Sequence, residues 1–365
     1  MPTEHVGPRI SPRLVSHRFD PSTKKHSASM TKKLSISLIM PTFNKSYYLD
    51  LTLSALRRVD FKDFEVVLVD DGSTDRTPEI AKKHREHLSL NYLRQENRGR
   101  AAARNTAIAA AQGEVLIFID DDRIIPPHFL DAHWAKFSAD AGIVTIGPLH
   151  SVFTLFHPEL FDDPSYCPYL ERHRDQIHDR AVPQVFVTAD DVLTRLPQIL
   201  HDWSMSDPWW DEYCMPLLRH YGGDLGACPI QWAIGTTANM GVRKADVERV
   251  GMFDDGFTGW GLEDTDLSYR LHKAGLRFTF VPAAVNYHQM HPSNFAAGKA
   301  EWGRNYRHFC QKHGTLDSYL FRHWAERTLT FEQIEALLCE ARAMAVQDQG
   351  DGLEALLATY LNLDP

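Results

Sequence analysis

GRAAARNTAIAAAQGEVLIFIDDD, from Gly99 to Asp122, places a helix, a strand and a cluster of acids in direct succession. Its first part is crowded with alanine, the strongest helix former, and closes on Gly113, a residue suited to the C′ position that ends a helix. Its second part, EVLIFID, is a short unbroken apolar run, the pattern of a strand buried on both faces. The alternation extends toward the N-terminus. SISLIM reads as a strand, SYYLDLTLSALRRV as a helix, EVVLVD as a strand, TPEIAKKHREHL as a helix and LNYLRQ as a strand. Strand and helix repeated in this way imply an α/β fold, a Rossmann-like, mostly parallel central sheet flanked by helices. Such sheets bind ligands beyond the carboxyl ends of their strands.

Polar residues cluster where that rule puts them. SLIM leads into Pro41-Thr42-Phe43-Asn44, VVLV into Asp70-Asp71-Gly72-Ser73-Thr74-Asp75, and LIFI into Asp120-Asp121-Asp122. Three adjacent carboxylates repel one another, and a folded site tolerates them mainly when a cation or strong donors neutralise them. If the strand continues, Asp120 and Asp122 project to one side and can converge on a metal ion. The ordinary alternative is a solvated turn whose Asp caps the helix beginning near Pro126 or Pro127. For Asp75, an Asx-type turn is the preferred reading.

Bulk properties narrow the class. The chain has 365 residues, 43% of them hydrophobic and 24% charged, enough for one large domain with attachments. A formal net charge of −9 gives no general attraction to nucleic acid or anionic membrane. The five cysteines are scattered and never form a C-x-x-C pair, against a disulfide framework or thiolate zinc site and in keeping with a cytoplasmic location. Residues 1–33 are polar and basic with few large apolar side chains, the composition of a flexible tail. No run approaches the roughly 18 apolar residues of a membrane span, and no signal-peptide core is present.

Five segments in order, ISLIMPTFNKSYYLDLTLSAL, EVVLVDDGSTDRT, NRGRAAARNTAI, GEVLIFIDDD and GWGLEDTDLSYRL, together resemble glycosyltransferase family 2, inverting transferases of GT-A fold that use nucleotide sugars. Around the WGLED segment the chain is most similar to bacterial chondroitin-polymerase-type domains, and more distantly to galactosyl- and N-acetylgalactosaminyltransferases. The resemblance implies a UDP-sugar donor and a hydroxyl-bearing acceptor. It divides the chain into a GT-A domain over 34–291 and a helical C-terminal extension over 292–365. Within the domain, 34–148 is the nucleotide half, 149–234 a variable acceptor or lid region, and 235–291 the catalytic half.

Carried onto individual residues, the resemblance places Pro41, Thr42 and Asn44 near the nucleotide and Asp71 on the uracil imide, where a carboxylate accepts the N3 proton. Arg104 is expected to hold nucleotide or sugar, and Asp120 and Asp121 to meet ribose or sugar hydroxyls. Asp122 is expected to ligate Mn²⁺ or Mg²⁺, with Asp120 as a second candidate ligand. His288 is the expected histidine ligand and His291 the runner-up, an imidazole favouring a transition metal. Gly259-Trp260-Gly261 looks like the acceptor turn, its glycines allowing close backbone approach, with Asn239 a further acceptor or donor contact. Asp264 is then the general base and Glu263 orients the acceptor or Asp264. The competing reading of LEDTDLSYRLHKAG is a helix whose first-turn acids merely complement its dipole.

Trp203, Trp209, Trp210 and Tyr213 crowd one short stretch and are read equally as a lid or as core filling. The helices predicted after Pro292 either close the sheet or form a homodimer contact. Two other classes fit such a chain, a sugar-phosphate nucleotidyltransferase of similar fold and a non-catalytic nucleotide-sugar or carbohydrate-binding protein. The sequence PTFNKS lacks the glycine-rich basic loop with which the former usually begins.

Overall fold

The computed structural model describes residues 35–162, 167–292 and 295–346, all within one unit, Lys33–Pro365. The tail over 1–33 and the predicted helix GLEALLATYLNL lie outside the described residues. The nucleotide half runs β1 (Ile36–Thr42), α1 (Ser46–Leu56), β2 (Phe64–Asp70), α2 (Thr77–Arg85), β3 (Leu90–Arg94), α3 (Arg100–Ala110), β4 (Val115–Phe118), β5 (Arg123–Ile124), α4 (Phe129–Ala139) and β6 (Ile143–Ile146). The middle holds β7 (Leu149–Val152), β8 (Leu155–Phe156), α5 (Cys167–Arg172), β9 (Gln184–Val185), α6 (Ala189–Trp203), β10 (Ser204–Ser206) and α7 (Met215–Tyr221). Then follow β11 (Met240–Arg243), α8 (Lys244–Arg249), α9 (Glu263–Lys273), β12 (Arg277–Phe280), β13 (Asn286–Gln289), α10 (Phe295–His313), α11 (Leu316–Ala325) and α12 (Phe331–Val346).

The main sheet has the order β12-β6-β11-β4-β1-β2-β3. It is parallel except for β11, which runs antiparallel to both β4 and β6. Both faces are covered, so successive side chains on one strand enter different cores: Leu116 and Phe118 join one, Val115, Ile117 and Ile119 the other. Thr42 and Asp70 are register partners, which brings the PTFN and DDGS loops side by side. A second sheet, β10-β7-β13-β5, opposes His288 to Arg123 and so returns the late histidines to the acids after β4.

Two local expectations change. Helix α3 ends on Ala111 in extended conformation, and Gly113 is no C′ residue. A Cβ at Gly113 would lie 2.3 Å from the Ser37 amide nitrogen, so this glycine is required by close approach to β1. Strand β4 stops at Phe118, and Asp120–Asp122 form a turn rather than an extended D-x-D; α4 begins after His128, uncapped by an Asp.

Trp210 fills the main core, and Trp203 stacks on His173 at 4.3 Å and on Phe186 at 5.0 Å. The core-filling reading therefore holds for Trp210. Tyr306, Phe309, Leu320, Phe321 and Trp324 of the C-terminal helices join the same core as Trp232 and Tyr269, closing one face of the sheet. Those apolar side chains are spent inside the chain and do not supply a homodimer contact.

Asn239 is fully buried and saturated. Its Oδ1 faces His133 Nε2 at 3.0 Å, while its Nδ2 donates to the Ala284 carbonyl at 2.8 Å and the Pro148 carbonyl at 3.1 Å. Nothing of it is left for an acceptor, which corrects the expected role. Because an amide oxygen only accepts, His133 must carry its proton on Nε2 and accept from Thr145 through Nδ1. Burial pushes His133 down to about 4, so it stays neutral. Asn239→Ala strips partners from three buried groups and is expected to cost about 2–4 kcal/mol in a urea melt. The unfolded state takes up the His133 proton first, so stability contributed by the neutral ring is present above pH 6.5 and lost as pH falls toward 4.

Candidate active site

The loops after β1 and β2 lie side by side at the carboxyl edge of the sheet. Asp71 Oδ1 accepts from Gln95 Nε2 at 2.7 Å and the Arg98 amide at 3.0 Å, and its Oδ2 accepts from the Gly99 amide at 2.8 Å. Its hydrogen bonds fix the loop entering α3 and leave Oδ2 with a further lone pair. Asn44, at φ 53°, donates its amide to Ser73 Oγ at 2.9 Å and accepts from the Thr74 amide at 2.7 Å. Pro41 is half-buried and Thr42 buried on the same edge. Asp75 makes the expected local turn, accepting from the Thr77 amide at 3.0 Å, and it also receives the Ser46 amide at 2.8 Å at the start of α1.

The turn after β4 meets the start of α9 through buried arginines. Arg104, 3% exposed, donates from Nη1 to Glu263 Oε1 at 2.9 Å and from Nη2 to Asp120 Oδ1 at 3.1 Å. Burial opposes its charge, but Glu263, Asp120 and Asp264 more than compensate. Asp120 is thus committed to Arg104 and lies outside the candidate metal cluster. Arg123 sits 4.0 Å from Asp120 Oδ2 and 3.7 Å from Asp122 Oδ1, continuing the chain of charges. Leu262, left-handed at φ 72°, immediately precedes α9, whose first residue Glu263 meets Arg104. Burial and the adjoining Glu263 push the Asp264 carboxyl up to about 6, against the pull of Arg104. Asp266, another first-turn acid, is fully buried on Arg270, Lys312 and His313 and anchors α9 to α10.

Among the described residues, one carboxyl-imidazole cluster can hold a metal: Asp122, His288 and His291, with one ligand atom from each lying within 4.8 Å of the others. Both histidines belong to this cluster. Burial and Arg123 hold His288 below its ordinary range, which keeps the ring neutral and its lone pair available. Burial alone would raise Asp122, but Lys45 and His288 hold its carboxyl well below the usual range. The donor set fits a divalent ion on two further grounds. Asp122 Oδ1 is buried without a hydrogen-bond partner, and the Lys45 ammonium already stands in as a cation, contacting Asp122 Oδ2 and lying 2.7 Å from His291 Nε2. Asp121 is buried 4.0 Å from the same ammonium, and burial with Asp122 beside it pushes its carboxyl up to about 6.

Trp260 lies 49% exposed between Gly259 and Gly261 on the turn leading to the acid pair. Sequence reasoning missed Lys45 and Arg123. Lys45 stands next to the quoted PTFN, and Arg123 directly follows the three acids, so adjacency to both motifs was the available signal.

Comparison with known proteins agrees with this geometry. Residues 37–176 match the model of glycosyl transferase family 2, and residues 228–293 match the N-terminal domain of galactosyltransferase. The chain is 30% identical to validoxylamine A glucosyltransferase of Streptomyces hygroscopicus subsp. jinggangensis over 80% of its length and 63% of that protein. It is 27% identical to the chondroitin synthase of Escherichia coli over 72% of its length and 37% of that protein. It spans about three-fifths of the length of the first curated relatives, 63% and 59%. A solved structure of GalNAc-T7 with UDP, GalNAc and Mn²⁺ superposes with TM-score 0.50 at 16% identity, covering 82% of this chain and 52% of that one. No described helix is long and apolar enough to cross a membrane. With one sheet carrying strands of both matched segments, and Asp122 of the first gathered with His288 and His291 of the second in one cluster, the chain is similar to glycosyltransferase family 2 over residues 37–176.

Proposed function

We propose that the chain is a metal-dependent inverting glycosyltransferase that moves a sugar from a UDP-sugar to a hydroxyl-bearing acceptor. The observation that carries this reading is the continuous line of charge from Asp122 through Arg123, Asp120 and Arg104 to Glu263 beside Asp264. It joins an oxygen- and imidazole-lined cation site to a carboxyl raised into the range of a working base. Asp71, with Pro41, Thr42 and Asn44, takes the uridine end, and the Asp71 lone pair left on Oδ2 receives the uracil N3 proton. Asp122, His288 and His291 would hold Mn²⁺ or Mg²⁺, which when bound would supply Lewis-acid stabilisation of the leaving diphosphate. Asp264 removes the proton of the acceptor hydroxyl while that oxygen forms its bond to the anomeric carbon, and the bond from that carbon to the UDP oxygen breaks on the opposite face. Arg104 holds Glu263 and Asp120 in place on either side of the transfer, and Trp260 supports the acceptor.

Mn²⁺ with UDP is expected to raise the melting temperature, and one of UDP-glucose, UDP-galactose, UDP-GlcNAc, UDP-GalNAc or UDP-glucuronate is expected to release UDP on addition of a p-nitrophenyl glycoside acceptor. A chain that ignored UDP and every donor would sink the proposal, and pyrophosphate release from UTP with a sugar phosphate would assign nucleotidyl transfer instead. Because the base must be unprotonated, kcat/KM should fall about tenfold per pH unit below about 6 and level off above it. Mn²⁺ affinity measured at the same pH values separates this loss from protonation of the histidines.

A further inference from the structure

The glycines of the Trp260 turn are there because a helix comes close. Gly259 and Gly261 hold φ of +78° and +94°, and a Cβ at Gly259 would fall 2.5 Å from the Glu301 carboxylate carbon. What approaches the turn is α10, not an open space awaiting a ligand. Glu301 Oε2 accepts from the Trp260 amide at 2.8 Å. Asn305, 3% exposed, places Nδ2 at 2.8 Å from the Gly261 carbonyl, 3.2 Å from that of Thr258 and 3.3 Å from that of Trp260. Two N–H groups serve three carbonyls, so at least one is shared, and the amide nitrogen is committed wholly to the turn. The Trp260 ring itself lies over Gly298, where an added Cβ would stand 3.6 Å from Cε3 and 3.9 Å from Cδ2. Helix α10 therefore backs the indole while half of the residue stays open beside the acid pair.

We propose that α10 forms the outer wall of the acceptor site and that Asn305 and Glu301 are positioning residues, fixing Trp260 as a platform for the apolar face of a hydroxyl-bearing ring. The identity of that ring rests on the glycosyl-transfer reading, whereas the clamp does not. The grip comes from residues beyond 293, where the matched segments end, so acceptor choice is set by a part of the chain that the family models do not reach. It also means that a platform residue inside the matched region depends on partners outside it.

Hydrogen exchange on the full chain tests the clamp without any acceptor. In Asn305→Ala the peptide carrying the Trp260 amide is expected to exchange at least about tenfold faster, with peptides from β1 and β2 unchanged. Glu301→Gln, which keeps an oxygen acceptor, should exchange like the wild type. Gly298→Leu leaves the clamp intact and crowds the indole from a helix position that tolerates a side chain. With the active donor and p-nitrophenyl glycoside from the panel above, Asn305→Ala and Gly298→Leu should each raise the acceptor KM by about tenfold and leave donor KM and donor hydrolysis within about twofold. Unchanged exchange at Trp260 in Asn305→Ala would overturn the clamp, and a normal acceptor KM in both variants would overturn the wall. Faster exchange beside a silent panel would uphold the clamp and overturn the glycosyl-transfer reading alone.

Discussion

Asp264→Asn is expected to lower transfer by about 10² to 10⁴-fold while raising the melting temperature. The two effects have one cause. A carboxyl held at about 6 instead of its ordinary 3.8 is a charge the folded protein disfavours relative to the unfolded chain. Its ionised form therefore costs stability above pH 6, and the cost disappears as pH falls below the unfolded value. Removing the charge should return about 1–3 kcal/mol at pH 8, part of the shift belonging to Glu263 beside it. The stability gain should shrink as the pH is lowered through 6 toward 4. UDP and Mn²⁺ should bind the variant as they bind the wild type, since neither meets Asp264 in this mechanism. A structural first-turn acid that only complemented the helix dipole would behave oppositely, its loss lowering stability and sparing turnover. Calorimetry across pH beside a UDP-release assay distinguishes them, and near-normal turnover would remove Asp264 from the mechanism.

That contrast follows what sequence can and cannot carry. The alternation of β1 to β4 with α1 to α3 was legible because each strand is an apolar run buried on both faces and each helix keeps its own period. Asp71 and Asp120–Asp122 were legible because they follow strands, where ligands of such sheets gather, whereas Asp264 and His288 were legible only through the family resemblance. Asp122 and His288 share one cluster, and ion pairs run from it to Glu263 beside Asp264, yet the partners that tune these groups do not announce themselves. Under the family resemblance Arg104 was a nucleotide or sugar contact. It is instead consumed by Asp120 and Glu263, a pairing of residues far apart in sequence that no local pattern encodes. Asn239 failed in the same way, since a buried amide saturated by backbone carbonyls and an exposed ligand contact look alike in sequence. The glycines around Trp260 correctly signalled close approach, but the approaching body was a later helix. Gly113 likewise marked a contact with β1 and not a helix end.

Asp122→Ala is expected to reduce Mn²⁺ affinity by more than about 100-fold, taking metal-dependent UDP binding with it. The loss is large because Asp122 is the only carboxyl of the cluster, and without it two imidazoles face a buried cation alone. Lys45 sharpens the test. Its ammonium touches Asp122 Oδ2 and lies 2.7 Å from His291 Nε2, atoms that a bound ion would claim. Two cations about 4 Å apart repel by several kcal/mol even at an effective dielectric near 20. The ammonium must therefore give up those two contacts when the ion enters, and the diphosphate of an arriving donor would share it with Asp121, whose Oδ1 is 4.0 Å away. Lys45→Met should raise Mn²⁺ affinity in the absence of UDP by about tenfold and weaken the boost that UDP gives to metal binding. Titration of Mn²⁺ followed by electron paramagnetic resonance, with and without UDP, reads both numbers without any acceptor. Full Mn²⁺ affinity in Asp122→Ala would place the metal elsewhere, and a Lys45→Met variant with unaltered affinity would show that the ammonium and the ion do not compete. If both variants behave as expected, the site exchanges one internal cation for one external cation, and donor binding is coupled to that exchange.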